Sequence, residues 1–321
     1  MQLIRGLHNL KPEHRGCVAT IGNFDGVHLG HQAVFAELLA EGRRLGLPAC
    51  VISFEPQPLE FFAPQRAPAR LTRLREKLQV IAASGIERVL LLEFNPHLAA
   101  MTAEDFVQRI LLDGLGVRHL YVGDDFRFGQ GRGGDKALLE RMGRRLGFAV
   151  DNLCTRSLGG ARISSTRIRA ALEQGDLALA AACLGRPYRV CGRVIHGAKR
   201  GRTIGFPTAN LDLKRRVCPL RGVFAVRLGG LYPNQALPGV ANIGNRPTVS
   251  GPPRYLLEVH LFDFTEQIYG RQVEVEFVQR LREERRFDSF EQLRRQIELD
   301  GFRARQVLGA GVSPDQDKNG L

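Results

Sequence analysis

Two histidines three residues apart, His28 and His31, stand in the string Gly22-Asn23-Phe24-Asp25-Gly26-Val27-His28-Leu29-Gly30-His31. Glycine lets a backbone approach a phosphate chain closely, and the helix expected to follow offers free N–H groups at its start. Histidine N–H donors placed there can bind phosphate oxygens and stabilise charge building on a leaving pyrophosphate. The pair also reads as helix caps or as a His-x-x-His metal pair, although no third ligand stands at a recognisable spacing. The dinucleotide fingerprint Gly-x-Gly-x-x-Gly is absent. A second string, Arg162-Ile163-Ser164-Ser165-Thr166-Arg167-Ile168-Arg169, opens a helix with hydroxyls and flanks them with arginines. On its own it is either an ordinary Ser/Thr cap or another phosphate site.

Further along, Gly197-Ala198-Lys199-Arg200-Gly201-Arg202-Thr203-Ile204-Gly205-Phe206-Pro207-Thr208-Ala209-Asn210 is basic and rich in glycine. It is not a P-loop, because Ala198 stands where the lysine should be. It reads either as a hairpin loop or as a nucleotide flap with Thr208 and Asn210 at a metal-bound phosphate. Oxygen donors of that kind suit Mg²⁺, which takes few protein ligands. Glu258 sits among apolar neighbours in Leu257-Glu258-Val259-His260-Leu261, where a carboxylate needs a reason to be. His260, two residues on, shares its strand face and reads as structural.

The first half must position the histidines by alternating strands with helices. Strands are expected at 17–21, 49–54, 89–92, 117–122 and 148–153; Val34, Phe35, Leu38, Leu39 and Leu45 fall at helical spacing after the first strand, and further helices are expected at 71–83, 103–112 and 135–146. That alternation implies a parallel sheet with helices on its faces, and ligands of such sheets sit at the carboxyl ends of strands. Two short helices follow at 164–172 and 177–184. After Gly185-Arg186-Pro187 the pattern becomes strand-rich, with strands expected at 188–195, 223–228, 240–243, 256–262 and 273–277. Gly and Pro clusters separate them, which suggests an antiparallel barrel or sandwich. One amphipathic helix over 290–307 closes it, and the polar residues beyond Gly309 fray. The boundaries expected are therefore 1–186, 187–310 and a tail at 311–321.

Composition fits that division. At 321 residues, 44% hydrophobic and 25% charged, the chain is long enough for two cores and is not disordered. No apolar run reaches the roughly 18–20 residues that span a bilayer, which excludes an integral membrane protein with helical spans. The N-terminus lacks the apolar stretch of a secretory signal, and six scattered cysteines without a Cys-x-x-Cys pair read as buried thiols of a reducing cytoplasm. The net charge of +13 comes mostly from arginine, with only 6 lysines. It is spread over both halves without a lysine-rich tail, which weakens a nucleic-acid arm and suits anionic small ligands without separating the two.

The first string resembles the His-x-Gly-His motif of the nucleotidylyltransferases, and Arg162–Arg169 resembles their second phosphate-binding motif. Ser53-Phe54-Glu55-Pro56-Gln57-Pro58 and Val122-Gly123-Asp124-Asp125-Phe126-Arg127-Phe128-Gly129 resemble segments of bacterial FMN adenylyltransferase domains. The second half resembles riboflavin kinases in its Pro207-Thr208-Ala209-Asn210 signature. Gly222-Val223-Phe224, Asn242-Ile243-Gly244-Asn245-Arg246-Pro247-Thr248, the Glu258 strand, Tyr269-Gly270 and the string from Leu281 to Ser289 follow in family order. The domain order is similar to that of the bacterial bifunctional riboflavin kinase/FMN adenylyltransferases, the FAD synthetases. The fold implied is a Rossmann-like nucleotidylyltransferase domain with a parallel sheet, then an antiparallel β-barrel riboflavin-kinase domain with a closing helix.

The resemblance implies that ATP for adenylyl transfer is held by Gly22, Phe24, His28, Gly30, His31, Arg162, Ser165 and Thr166, with both histidines catalytic. It implies flavin contacts from Phe54, Phe62, Asp125 and Phe128; Asp125 stands where some relatives carry Asn, and a carboxylate repels phosphate. In the kinase half it implies ATP contacts from Gly197, Lys199, Gly201, Gly205, Thr208 and Asn210, Mg²⁺ at Thr208 and Asn210, a flavin contact from Arg282, and Glu258 as catalytic base. The partners implied are riboflavin, FMN and ATP, with neither nucleic acid nor membrane, and the oligomeric state stays open. Three rival readings are a nucleotidylyltransferase for another acceptor, a class I aminoacyl-tRNA synthetase fragment, and an inactive flavin- or nucleic-acid-binding regulator. A synthetase fragment would lack the kinase strings, and the intact His28, His31, Thr208, Asn210 and Glu258 argue against an inactive regulator.

Overall fold

A computed structural model of the chain describes residues 1–153, 155–196, 206–246 and 254–310. The chain divides into two compact units: residues 1–68 with 72–164, and residues 69–71 with 165–321.

The first unit is built on a six-stranded parallel sheet. Its strands are β1 (Gln2–Arg5), β2 (Cys17–Ile21), β3 (Ala49–Glu55), β4 (Arg88–Glu93), β5 (Val117–Val122) and β8 (Ala149–Asn152), in the order β1-β4-β3-β2-β5-β8. Two two-residue strands, β6 (Arg127–Phe128) and β7 (Gly134–Asp135), form a small hairpin beside it. β2 is buried along its whole length, as a strand covered on both faces must be. Successive side chains alternate between the faces. Cys17, Ala19 and Ile21 therefore join a core with Phe106, Ile110 and Leu139, whereas Val18 joins Val34, Phe35 and Leu38 on the other face.

Helix α1 (Leu29–Leu45) supplies Val34, Phe35 and Leu38 at helical spacing and ends at Gly46 in the left-handed region. Two further helices, α2 (Pro58–Phe62) and α3 (Leu74–Ala83), lie between β3 and β4 in sequence. Short α4 (Pro96–Ala99) and α5 (Ala103–Asp105) follow β4, and α6 (Lys136–Leu146) follows β7. The helix expected over 103–112 starts as α5, capped by Thr102, then widens into π-helical turns over Phe106–Gly114. Sequence order runs β2-β3-β4 to one side of β2, while β5 lies on the other. The carboxyl end of β2 is thus a switch point of the kind where such sheets bind ligands.

The first unit ends in a short hairpin of β9 (Ser157–Leu158) and β10 (Ala161–Arg162). The second unit centres on a closed antiparallel barrel. The barrel strands are β11 (Arg189–Ile195), β12 (Ala209–Asp212), β13 (Gly222–Tyr232), β14 (Gln235–Arg246), β15 (Arg254–Leu261) and β16 (Gln272–Arg282). The closing helix is present as α9 (Phe290–Leu308); Ser289 caps it, its Oγ accepting from the Gln292 N–H at 3.2 Å. Ala304 and Leu308 of α9 pack with Val223, Ala225, Val240 and Phe262.

The change of pattern at Arg186 does not coincide with the division of the units, which falls between Ser164 and Ser165. Helices α7 (Ser165–Gln174) and α8 (Leu177–Leu184) pack on one another, and α8 packs on β16. Residues 69–71 belong to the second unit because its polar groups bind their carbonyls. Tyr188 donates its hydroxyl to Leu71 O at 3.1 Å, Arg169 Nε donates to Ala69 O at 2.6 Å, and buried Arg215 donates to Arg70 O. Cys17, Cys50, Cys183, Cys191 and Cys218 are in no disulfide, while Cys154 and the tail at 311–321 lie outside the described residues. Among the described residues no helix is long and apolar enough to cross a membrane.

Candidate active sites

The loop after β2 is held in a shape that its residues do not prefer. Phe24 (φ 48°) and Val27 (φ 41°) take left-handed backbone, and Gly26 (φ 84°) joins them. For a β-branched residue this is costly and persists only where surroundings impose it. Asp25 is buried and its carboxylate accepts from Thr72, from the N–H at 3.0 Å and the hydroxyl at 3.2 Å. Thr72 Oγ1 in turn accepts from the Gly26 N–H at 2.9 Å. From α3, Lys77 reaches the start of the loop and donates its ammonium to Asn23 O at 3.1 Å and Ser53 Oγ at 2.9 Å. It is only 2% exposed, so these groups replace the water it has lost.

At the end of the loop, His28 caps α1. Its Nδ1 accepts from the His31 N–H at 3.3 Å, and the two imidazoles stack with centroids 3.6 Å apart. Acceptance at Nδ1 puts the ring proton of a neutral His28 on Nε2, which makes that atom the donor. The cap and phosphate readings are therefore compatible, since one nitrogen serves each. Burial, then His28 and Lys77, hold the His31 pKa well below its ordinary value, so His31 is neutral. Its Nδ1 is enclosed and has no partner. The Phe24 ring lies edge-on to His31 at 5.1 Å. Close packing explains two glycines: a Cβ on Gly30 would lie 3.1 Å from the His28 ring, and one on Gly22 3.1 Å from the Phe24 ring. Among the described residues no group of three or more His, Cys, Asp or Glu is arranged to hold a metal.

The second phosphate string is split by the division of the chain. Arg162 ends β10 in the first unit, exposed, while Ser165 and Thr166 open α7 in the second. The aromatic positions separate into two groups. Phe54 and the exposed Phe62 surround Phe94 with Phe61, at centroid distances of 5.8, 5.4 and 5.5 Å respectively. Phe61 and Phe94 are not among the flavin contacts that the resemblance implies, although the adjacent pair Phe61-Phe62 is a signal in the sequence. Phe128 is instead buried in the core against Phe106 at 5.5 Å, with Phe126 stacked on it at 5.4 Å. Asp125 is exposed.

In the barrel the groups are gathered by strand register. Asn210 of β12 lies directly opposite Glu258 of β15, and Glu258 lies opposite Asn242 of β14. Asn210 donates its amide to Thr208 O at 3.2 Å. A cleft of about 350 Å³ is lined by Val194, Pro207, Thr208, Asn210, Val259 and Tyr269, among others. His260 binds Pro207 O through Nδ1 at 2.9 Å and meets Phe206 edge-on; burial lowers its pKa, which suits a neutral structural ring. Arg282 has its fork on the buried carboxylate of Asp300 in α9, with Nε at 2.9 Å and Nη2 at 2.8 Å, and gives Nη1 to Glu283 O. It ties the closing helix to the barrel. Gly197, Lys199, Gly201 and Gly205 lie outside the described residues.

An open parallel sheet thus carries a histidine-capped helix at its switch point, and a closed barrel carries an acid between two amides. The family models divide the chain in the same order: residues 10–167 match FAD synthetase and residues 184–308 match riboflavin kinase. The chain is 54% identical to the bifunctional riboflavin kinase/FMN adenylyltransferase of Pseudomonas fluorescens, covering 96% of this chain and 98% of that one. It is 52% identical to the protein of the same name in Escherichia coli K12, with the same coverage, and 50% identical to that of Haemophilus influenzae, covering 94% and 97%. A solved structure from Streptococcus pneumoniae, titled a macrolide-efflux protein, shares the fold with a TM-score of 0.77 and 30% identity, over 94% of this chain and 97% of that one. The chain belongs to the bifunctional riboflavin kinase/FMN adenylyltransferase family.

Proposed function

We propose that the chain makes FMN and then FAD in two ATP-dependent steps, one in each half. In the barrel, the γ-phosphoryl of ATP passes to the 5′-hydroxyl of riboflavin. Glu258 orients that hydroxyl and takes its proton, while Thr208 and Asn210 face the nucleotide phosphates. Phosphoryl transfer of this kind needs chiefly positioning and electrostatics. Their oxygens, including the unpartnered Asn210 Oδ1, fit a divalent cation, proposed as Mg²⁺, which neutralises phosphate charge when bound.

In the α/β half, the FMN phosphate attacks the α-phosphorus of a second ATP and displaces pyrophosphate. That phosphate is already ionised near neutral pH, so no strong base is needed. His28 donates from Nε2 to the departing pyrophosphate, and neutral His31 adds a polar ring without adding charge. Arg162, Ser165 and Thr166 are assigned to ATP. Phe54 and Phe62 are assigned to the isoalloxazine, in an aromatic group whose exposed member suits a flat ring. Asp125 and Phe128 border that flavin, Phe128 from within the core. Gly197, Lys199, Gly201 and Gly205 are assigned to the kinase ATP and Arg282 to the kinase flavin, the latter through the position of α9. Cysteines in no disulfide and ATP dependence suit the cytoplasm.

The observation that carries this reading is the presence of both family matches, in order, along one chain. Purified protein given riboflavin, ATP and Mg²⁺ is expected to accumulate FMN and then FAD, resolved by chromatography of the flavins. Failure to form FMN from riboflavin, or FAD from supplied FMN, removes the corresponding half of the proposal.

A further inference from the structure

The barrel carries a row of three polar side chains whose third member has no part in the scheme above. Asn210, Glu258 and Asn242 stand side by side across β12, β15 and β14. Directly opposed residues of antiparallel strands have their Cβ atoms about 4.5–5.5 Å apart. The rows on either side are apolar: Leu211, Leu257 and Ile243 on one, Ala209, Val259 and Ala241 on the other. Successive side chains of a strand alternate between its faces, so these apolar rows point the other way and the three polar groups share a face of their own.

Asn210 Oδ1 and Asn242 Oδ1 are both buried, and neither has a hydrogen-bond partner. Buried polar atoms are nearly always paired, so two orphans flanking one carboxylate mark places where a bound molecule completes the bonding. The two sides of Glu258 differ, however. Asn210 lines the cleft together with Thr208, whereas Asn242 lies across Glu258 from it and is not among the cleft-lining residues. Beyond Asn242, a Cβ on Gly244 would fall 2.5 Å from Glu284 Oε1 and 3.6 Å from Asn242 Nδ2, so a second carboxylate comes close to the far end of the row.

In phosphoryl transfer the acceptor and the nucleotide approach from opposite sides of the group in flight, with the proton acceptor beside the attacking hydroxyl. With the nucleotide on the Thr208 side, the acceptor's hydroxyl-bearing chain falls on the Asn242 side. An amide carbonyl bordered by a carboxylate suits a polyol, whose O–H groups donate to both. We infer that Asn242 is a substrate-binding residue of the kinase site, its Oδ1 accepting a hydrogen bond from a side-chain hydroxyl of the flavin. It thereby holds the terminal hydroxyl beside Glu258. This rests on the kinase reading given above.

The test compares Asn242→Ala and Asn242→Asp with wild type in the full chain, measuring riboflavin phosphorylation and, on the same preparation, adenylylation of supplied FMN. Asn242→Ala is expected to lower kcat/KM for riboflavin roughly 10- to 100-fold, as loss of a buried hydrogen bond does. The KM for ATP should stay within about twofold, by the same assignment of Asn242 to the acceptor alone. Asn242→Asp keeps an acceptor at Oδ1 and should retain more activity than the alanine variant. Flavins each lacking one inner side-chain hydroxyl identify the contact: the one that Asn242 binds loses rate in wild type and loses no more in Asn242→Ala. An unchanged kcat/KM for riboflavin overturns the assignment. So does a rise confined to the KM for ATP, a fall in melting temperature with no change in the riboflavin parameters, or a full penalty for every deoxy flavin in the alanine variant. Wild-type protein that forms no FMN defeats the underlying kinase reading instead, so the two failures are distinguishable.

Discussion

In the loop after β2, every candidate group lies within one short run of sequence, and the effort goes into bending the backbone. Phe24 and Val27 sit at positive φ, with Thr72 and Lys77 bonding the loop from outside. In the barrel the backbone is regular, and the effort goes into bringing together strands far apart in sequence. Asn210, Glu258 and Asn242 become neighbours only through register. A site made by a strained loop is therefore vulnerable at the groups that hold its shape. A site made by register is vulnerable mainly at the residues that do the chemistry.

The largest effect expected from this contrast is at Glu258. Glu258→Gln keeps the shape and removes proton acceptance, and riboflavin phosphorylation should fall roughly 10²- to 10⁴-fold. Conversion of supplied FMN to FAD should continue at its normal rate. Kinase turnover near wild type would remove Glu258 from its role.

Next in size is His28→Ala, which removes both the α1 cap and the Nε2 donor. FAD formation should fall on the order of 10²- to 10³-fold while FMN accumulates. Elemental analysis of wild type checks the competing metal reading: stoichiometric zinc that is absent from the variant would show His28 to be a ligand.

Thr72→Val touches no substrate, yet it strips the Asp25 carboxylate of its hydroxyl donor and the Gly26 N–H of its acceptor. The Thr72 amide still donates after this change, so the loss is that of the hydroxyl's two bonds, about 1–3 kcal/mol. A lower melting temperature with weakened FAD formation and intact kinase activity is expected, with Thr72→Ser restoring both. No change in FAD formation would show that the loop holds its shape unaided.

The smallest effect is on pH dependence. A histidine whose folded pKa lies below its unfolded value of about 6.5 contributes a stability that is present above that value and is lost as pH falls towards the folded pKa. His31 should therefore give the first unit a stability that is complete above about pH 6.5 and declines from there towards its own lower pKa. His260 acts with the same sign in the second unit. Glu41, held at about 2 mainly by Arg44 and His119, acts in a separate window: its contribution is present above 4.5 and is lost as pH falls towards 2. Melting curves between pH 7.5 and 5.5 should thus be flatter for His31→Gln than for wild type; identical slopes would show that the ring's titration is not linked to folding.

What was legible in the sequence follows the same contrast. Strands buried on both faces announce themselves as apolar runs, and β2 and β5 have the bounds expected of them. β1 does not, because it is a short edge strand with exposed Gln2 and Arg5. β12 was hidden inside a glycine-rich string that reads as loop. The loop residues His28 and His31 were visible because their spacing is local. Thr72 and Lys77 were not, since nothing in their neighbours tells which distant carbonyl or carboxylate they bind. Asn242 was visible only as part of a family string, because its partner on the next strand is set by register. Arg282 shows the reverse problem: an arginine's type says that it will seek an anion, and the fold decides that the anion is Asp300.

Residues 69–71 carry a consequence for how the protein can be cut and rejoined. A gene fragment beginning at Ser165 or at Pro187 keeps every kinase string, yet leaves behind the carbonyls that serve Tyr188 and Arg215. Arg215 is only 6% exposed, so its guanidinium would lose a protein acceptor in a place water reaches poorly. Such a fragment is expected to phosphorylate riboflavin but to melt earlier than the same unit in the full chain. One break in the coding sequence therefore cannot separate the two activities cleanly, and a shuffled or transplanted kinase half needs a substitute for a three-residue segment encoded far upstream of it.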